Sequence, residues 1–292
     1  VTNKLREREI IQRVTAKVDD DLGVYVKVLY NNIFDLSKAY QNSIIKKDGD
    51  MAQYIEKAKS ATPSVFPTGG TVACQGVEGA YSQQACDKLF FNPTIMYFKS
   101  FEAVFQAVEK GLCQFGILPI ENSSYGSVSQ VYDLMSHYNF SIVRSVKLHI
   151  DHQLLGKPGT DLSKVKEIFS HEQAIGQCSK FLADHPEIKV TPCANTAVAS
   201  KMVAESERDD VAAIASLNCA ELYGLSVISE SVQNNGNNYT RFICISKNCM
   251  IFPGASKISL MFSLEHKPGS LYNTLSKFSV LGLNITKLES RP

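Results

Sequence analysis

Between Thr71 and Ser246 the hydrophobic pattern changes period again and again, and this alternation is the strongest constraint on what the chain can fold into. The segments "TVACQG", "TIMYF", "FGILPI", "SIVRSVKLHI", "VAAIAS" and "TRFICIS" are short apolar or alternating runs, the pattern of strands. Between them "FEAVFQAVEKG", "SVSQVYDLMSHY", "HEQAIGQCSKFLADH", "NTAVASKMVAE" and "LNCAELYG" carry apolar residues at helical spacing. Gly111 closes the first of these helices and Asn195 opens the fourth. Strands alternating with helices predict an α/β domain with mostly parallel sheets.

Two breaks in composition bound that domain. Residues 59–70, "KSATPSVFPTGG", have the Pro, Gly, Ser and Thr content of a linker, and a shorter break follows at 247–257. The expected organisation is a helical segment over 1–58, a linker over 59–70, the α/β domain over 71–247 and a C-terminal piece over 256–292. The first segment predicts a short helix over 4–18. A longer one follows, with Leu22, Val26, Leu29, Ile33, Leu36 and Tyr40 on one stripe and Asp19, Asp20 and Asp21 placed to cap it. Two helices bury little by themselves, so a partner chain or a further N-terminal piece is expected to cover the stripe. The C-terminal piece predicts a βαβ unit: a strand, the loop "HKPGS", a helix through Leu271, Leu275 and Phe278, and the strand "NITKLES". With no initiator Met, the chain is expected to be part of a longer protein.

With 30 basic against 29 acidic residues in 292, the chain has no electrostatic footprint for nucleic acid or an anionic membrane. No run approaches the roughly 18 apolar residues of a membrane span. The eight cysteines are scattered without CxxC spacing, which reads as small buried hydrophobes in a reducing compartment, and as neither a disulfide framework nor a zinc site. The charged, helical N-terminus is unlike a secretion signal, so a cytoplasmic location is expected.

In open α/β sheets ligands gather where strands end and helices begin. Three such junctions stand out. "GILPIENSSYGSV" presents Glu121, Asn122 and Ser123; "IFSHEQAIGQ" presents Ser170, with Gln177 further along the helix; "PCANTAVAS" presents Asn195 and Thr196. Free N–H groups with hydroxyls and amides suit a small anionic ligand, although each junction alone also reads as a plain helix cap. Glu121 differs, because a carboxylate behind an apolar strand is a functional candidate. A fourth feature is "GNNYTRF", where Thr240 and Arg241 stand at the mouth of the buried strand "FICIS". There is no GxSxG, GxxxxGK[ST] or GxGxxG, and "HIDH" lacks a ligand partner at metal spacing, so no hydrolase elbow, nucleotide loop or metal site is expected.

Taken together, "ENSSYGSV", "SHEQAIGQC", "NTAVAS" and "NNYTRF", with the glycine-rich opening "GVEGAYSQQA", resemble prephenate dehydratase across nearly the whole central domain. The flanks carry their own resemblance. "LREREIIQRV" and "FDLSKAYQ" look like helices of the chorismate mutase fused to this enzyme in bifunctional proteins, and "HKPGSLYNTLSKFSVLGLNITKLESRP" looks like the first half of an ACT regulatory domain.

The resemblance implies a two-lobed, periplasmic-binding-protein-like α/β domain. An all-α helical segment precedes it and a partial, ferredoxin-like βαβ ACT piece follows. The segment "SIVRSVKLHIDHQLLG" would cross into the second lobe and "NNYTRFICIS" would return. It implies conversion of prephenate to phenylpyruvate, CO2 and water in phenylalanine biosynthesis, with no metal or organic cofactor. Thr240 is implied as proton donor with Glu121 as a second catalytic candidate. Asn122, Ser123, Ser170, Gln177, Asn195, Thr196 and Arg241 are implied as orienting or carboxylate-binding groups. In an extended "TRF", Arg241 faces away from Thr240. The mutase resemblance implies chorismate as a second substrate at Asn3, Arg6, Glu7, Ser37 and Gln41. The family's first long helix has no counterpart here, so an impaired mutase is expected. The ACT resemblance implies phenylalanine as effector at Gly269, Ser270, Leu271, Glu289, Ser290 and Arg291. A homodimer is expected from the uncovered stripe. The rival expectations are an arogenate dehydratase and a two-lobed carboxylate-binding protein without turnover.

Overall fold

The computed structural model describes residues 3–44 and 49–290, and it divides into two compact units: residues 1–56 with 260–292, and residues 57–259. Within the second unit the chain builds two sheets. The first contains β1 (Gly69–Gln75), β2 (Asn92–Phe98), β3 (Phe115–Asn122), β4 (Gly126–Ser127), β5 (Ser141–His149) and β11 (Tyr239–Ser246), in the order β2-β1-β3-β11-β5, with β4 paired to β3. The second contains β6 (Gln153–Gly156), β7 (Glu167–His171), β8 (Lys189–Cys193), β9 (Val211–Ala215) and β10 (Ser226–Ser229), in the order β10-β6-β9-β7-β8.

Both sheets are mixed, which corrects the expectation of mostly parallel ones. β2, β1 and β3 run parallel, as do β9, β7 and β8, but β11 is antiparallel to both β3 and β5, and β6 to both β9 and β10. The reason is the path of the chain. It leaves the first sheet after β5, enters the second at β6, and comes back from β10 to β11, so the outgoing and returning strands lie side by side in opposite directions. The two crossings make the two lobes.

Each sheet is covered on both faces. In the first lobe α4 (Tyr81–Leu89) supplies Ala85 and Cys86 against Cys74, Ile117, Phe242 and Cys244. On the other face α5 (Phe101–Glu109) and α6 (Ser129–His137) pack Val104, Phe105, Val108 and Val131 against Leu118, Ile120, Ile243 and Ile245. Helix α5 begins where the Ser100 side chain accepts the Ala103 N–H, and its apolar residues share the sheet-facing side. Burying each of Val104, Phe105 and Val108 contributes about 1.5–3 kcal/mol. In the second lobe α9 (Thr196–Glu205) and α10 (Leu217–Tyr223) cover one face, and α7 (Glu172–Gln177) and α8 (Ser179–Ala183) the other. The predicted single helix over 171–185 is thus two: Asn234, on the returning segment, accepts the Lys180 N–H and donates to Ser179 Oγ, capping a fresh start. All eight cysteines are free thiols and six are buried.

In the first unit α1 (Lys4–Thr15) and α2 (Gly23–Ile44) follow the predicted pattern, and α11 (Ser270–Val280) occupies the predicted C-terminal helix. Helix α3 (Asp50–Ala61) runs into what the sequence presents as a linker. The two strands expected around α11 are not formed: residues 256–265 and 284–290 pair with no strand among the described residues. In a split βαβ unit the two strands flank a third rather than each other, and without that neighbour their N–H and C=O groups have no ladder to join. The stripe residues Leu22, Leu29, Ile33, Leu36 and Tyr40 are 45–69% exposed. No described helix is long and apolar enough to cross a membrane.

Candidate active site

The end of β3 and the start of β11 are neighbours, and their register decides which polar side chains meet. Thr240 lies opposite Asn122, and Arg241 opposite Glu121. Successive strand residues point to opposite faces, so the two pairs stand on opposite sides of the sheet. On one side Asn122 Nδ2 donates to Thr240 Oγ1 at 2.8 Å and to Asn238 Oδ1 at 2.9 Å. On the other, Arg241 Nε lies 3.2 Å from Glu121 Oε1. Glu121 therefore stands on the Arg241 side of the sheet and Thr240 on the other, and the structure does not bring the two catalytic candidates together.

The Asn122 amide has a defined orientation. Its Oδ1 accepts the backbone N–H groups of Ser124 at 2.8 Å and Tyr125 at 3.0 Å in the tight β3–β4 turn, where Gly126 takes φ +76°. An oxygen must face those N–H donors, so the NH2 must face Thr240. Thr240 is buried, its oxygen receives a hydrogen bond, and among the described residues its own proton has no acceptor. Asn238, two residues before Thr240 and thus on the same face, is 1% exposed, and its Nδ2 is buried without a hydrogen-bond partner among the described residues.

The crossings between the lobes carry a second network. The Tyr81 hydroxyl, from the start of α4, donates to the Asp151 carbonyl at 2.9 Å and lies 3.4 Å from His152 Nδ1. His152 Nε2 lies 2.8 Å from Gln177 Oε1, on α7 of the second lobe, and the His152 N–H donates to Gln233 Oε1. The Asp151 carboxylate accepts from Gln153, Ser231 and Gln233, which ties the outgoing crossing to the returning one. Burial pushes the His152 imidazole below its ordinary pKa and the Tyr81 phenol above its own. An N–H at His152 Nε2 fits the Gln177 oxygen, which can only accept.

The remaining candidates divide. Asn195 caps α9 by accepting the Val198 N–H, with its Nδ2 beside Gly76 of the first lobe, and Thr196 is the first residue of that helix. Ser170 is fully buried inside the second sheet and donates to the Ile214 carbonyl at 2.7 Å, so its proton is already spent. Ser123 holds the returning segment: its Oγ donates to the Asn237 carbonyl and accepts the Tyr239 N–H. The lobes also meet at the glycine-rich turn, where Tyr223 donates to the Glu78 carbonyl and Gln84 to Ser216.

Two mixed sheets joined by two crossings, with Asn122 on Thr240 where the chain returns, make the frame in which this site stands. Residues 72–250 match the prephenate dehydratase family. The chain belongs to the prephenate dehydratase family. It is 41% identical over 224 residues to arogenate dehydratase/prephenate dehydratase 1, chloroplastic, of Arabidopsis thaliana, covering 76% of this chain and 57% of that protein. The chain thus spans little more than half the length of that relative. It is 30% identical over 295 residues to the bifunctional chorismate mutase/prephenate dehydratase of Escherichia coli strain K12, covering 98% of this chain and 73% of the other. The crystal structure of prephenate dehydratase from Arthrobacter aurescens in complex with L-Phe superposes with a TM-score of 0.66 at 27% identity, over 76% of each chain. The dehydratase domain has the two-lobed, periplasmic-binding-protein-like fold that the family resemblance implies.

Outside the dehydratase domain the first unit holds the other candidates. Asn3 caps α1 by accepting the Arg6 N–H, and Arg6 pairs with Glu9 on the surface. Glu7 pairs with Lys38 of α2 at 2.8 Å, and Gln41 donates to Ser37 on that helix. Asn3 is the N-cap of α1, Arg6 and Glu7 lie in its first turn, and Ser37 and Gln41 lie in the later part of α2. Gly269, at φ +86°, precedes α11, Ser270 and Leu271 begin it, and Glu289 pairs with Lys287 while Ser290 lies beside it. Arg291 lies outside the described residues. Sequence reasoning assigned no role to Asn238, Tyr81 or His152. The period of two leading to Thr240 is a signal for Asn238; none marks Tyr81 or His152, whose meeting depends on the crossing.

Proposed function

We propose that the dehydratase domain converts prephenate to phenylpyruvate, with Thr240 as the proton donor. The observation that carries this reading is the 2.8 Å hydrogen bond from Asn122 Nδ2 to Thr240 Oγ1. A threonine is a poor acid, and a fixed N–H donor aimed at its oxygen stabilises the charge that develops as the proton leaves. The electrons of the carbon–carboxylate bond enter the ring as CO2 departs. The ring hydroxyl leaves with the Thr240 proton as water, and the product gains aromaticity. The proton is restored to Thr240 from solvent.

Neutral donors suit the two substrate carboxylates, and the Gln177 and Asn195 amides lie along the lobe boundary for that task. Arogenate shares the reacting ring and differs in the side chain, and the Arabidopsis relative bears both names, so rates on the two substrates should be compared. The Escherichia coli relative supports a second role for the helical unit as a chorismate mutase at Asn3, Arg6, Glu7, Ser37 and Gln41. The L-Phe complex of the Arthrobacter protein supports phenylalanine as a ligand, and the sequence resemblance assigns it, as effector, to the segment around Gly269, Ser270, Leu271, Glu289, Ser290 and Arg291. A homodimer covering the α2 stripe completes the reading.

The test is phenylpyruvate formation from prephenate by the parent and by Thr240→Val, with folding followed by circular dichroism. Activity in the parent and a loss of about two to four orders of magnitude in a folded Thr240→Val is expected for removal of a general acid. Undiminished turnover in that variant would remove Thr240 from the role. A folded parent that binds prephenate without product would make the protein a binder.

A further inference from the structure

Tyr125 stands at the tip of the β3–β4 turn, three residues after Asn122, and its side chain leaves the first lobe altogether. Its hydroxyl donates to the Gln173 backbone carbonyl at 3.2 Å, on α7 of the second lobe. Its backbone N–H donates to Asn122 Oδ1 at 3.0 Å. One residue therefore has its main chain on the amide that holds Thr240, and its phenol on the helix that carries Gln177.

The phenol rests in a notch made by a glycine. A Cβ built on Gly176 would stand 2.5 Å from the Tyr125 Oη but 3.8 Å from Cζ. Gly176 lies within α7 and is not among the glycines with positive φ, so its backbone would accept alanine, which helices prefer. The space left by the missing side chain is the space the Tyr125 hydroxyl uses. Tyr125 is 48% exposed, which puts this contact at the rim of the cleft and not in a core.

We propose that Tyr125 is a clamp across the cleft: its hydroxyl docks in the Gly176 notch when the lobes close, and that docking holds the turn in which Asn122 supports Thr240. Tyr125 is a positioning residue, acting through Asn122. The kinetic part of this inference rests on the dehydratase reading; the structural part does not.

The two distances supply the test. Alanine at position 176 cannot coexist with the docked hydroxyl but is in ordinary contact with the ring carbon, so removing the hydroxyl should rescue it. The proteins needed are the parent, Tyr125→Phe, Gly176→Ala and the double variant, each measured for thermal midpoint and for kcat and KM with prephenate. Tyr125→Phe should lower kcat/KM by about 2- to 10-fold, the worth of one net hydrogen bond, chiefly through KM. Gly176→Ala should lower it at least as far, because the hydroxyl at the end of the Tyr125 side chain is turned out of the notch and the contact across the lobes is lost. The double variant should return to the level of Tyr125→Phe, and its midpoint should exceed that of Gly176→Ala.

Equal effects of Gly176→Ala with and without Tyr125→Phe would overturn the clamp, as would a Gly176→Ala protein that is merely more heat-stable and fully active. If Gly176→Ala does not fold, a folded double variant supports the proposal and an unfolded one overturns it. If the parent shows no turnover, the dehydratase reading fails, and the cycle of thermal midpoints decides the clamp by the same comparison.

Discussion

Asn122→Asp replaces one NH2 group by an oxygen and changes little else in shape, which makes it a sharp test of the Thr240 hydrogen bond. In the parent, Asn122 Nδ2 donates to Thr240 Oγ1 and Asn238 Oδ1 at 2.8 and 2.9 Å. With a carboxylate oxygen in that position the direction reverses at Thr240, whose proton would now be donated to the aspartate and not to substrate. At Asn238 two acceptors would face each other. Loss of one fixed donor to a developing oxyanion costs about 2.7–4 kcal/mol, a fall of roughly 10²- to 10³-fold in kcat. Leaving a buried acceptor unpaired costs about 1–3 kcal/mol of stability. At roughly 2–4 °C per kcal/mol for a unit of this size, the melting midpoint should drop by about 2–12 °C. The new carboxylate would keep the Ser124 and Tyr125 N–H groups on one oxygen and take the Thr240 proton on the other, and these donors favour its charged, accepting form. The assay is steady-state phenylpyruvate formation across pH, with melting followed by circular dichroism. Retention of kcat within about three-fold at neutral pH in a folded variant would refute the idea that Asn122 sets the acidity of Thr240.

Glu121→Gln removes a charge from the opposite face of the sheet, where Glu121 and Arg241 are each about 30% exposed (31% and 30%). It should cost at most about 1 kcal/mol of stability and leave kcat nearly intact; a collapse of kcat with unchanged melting would return Glu121 to the chemistry. Glu167 is held down to about 2 by Lys189, Arg208 and Thr191, against an ordinary value of 4.5. A depressed carboxylate stabilises the fold above its unfolded pKa and stops doing so as pH falls through its folded one, so Glu167→Gln should lower the melting midpoint at pH 7. That gap should close between pH 4.5 and 2. A gap that stays constant over the range would assign the effect to packing.

Much of the dehydratase fold was legible in local pattern because its central strands are buried on both faces. "FGILPI", "VAAIAS" and "FICIS" cannot be placed elsewhere without exposing apolar runs, and they became β3, β9 and β11. The caps were equally local: Asn195 opens α9 through its own side chain, and Gly111 takes φ +74° just beyond α5. Thr240 at the mouth of β11 was visible as a polar residue ahead of a buried strand.

What depended on distant partners was not legible. β8 has Pro192 and little apolar content, tolerable because β8 lies at the edge of its sheet. The strands expected around α11 have suitable residues but lack a neighbouring ladder, and a strand exists only in company. Glu121 and Asn122 are adjacent in sequence, and the alternation of strand side chains already places them on opposite faces. Only the register of β11, shifted by the irregularity beside Phe242, decides that Asn122 meets Thr240 while Glu121 meets Arg241. The meeting of Tyr81, His152 and Gln177 requires three separate elements to converge where the chain crosses between lobes. Local sequence determines which segments must be buried and where they start and stop. Tertiary structure alone decides which polar side chains face one another, because that depends on register and crossing, and neither is written in any one segment.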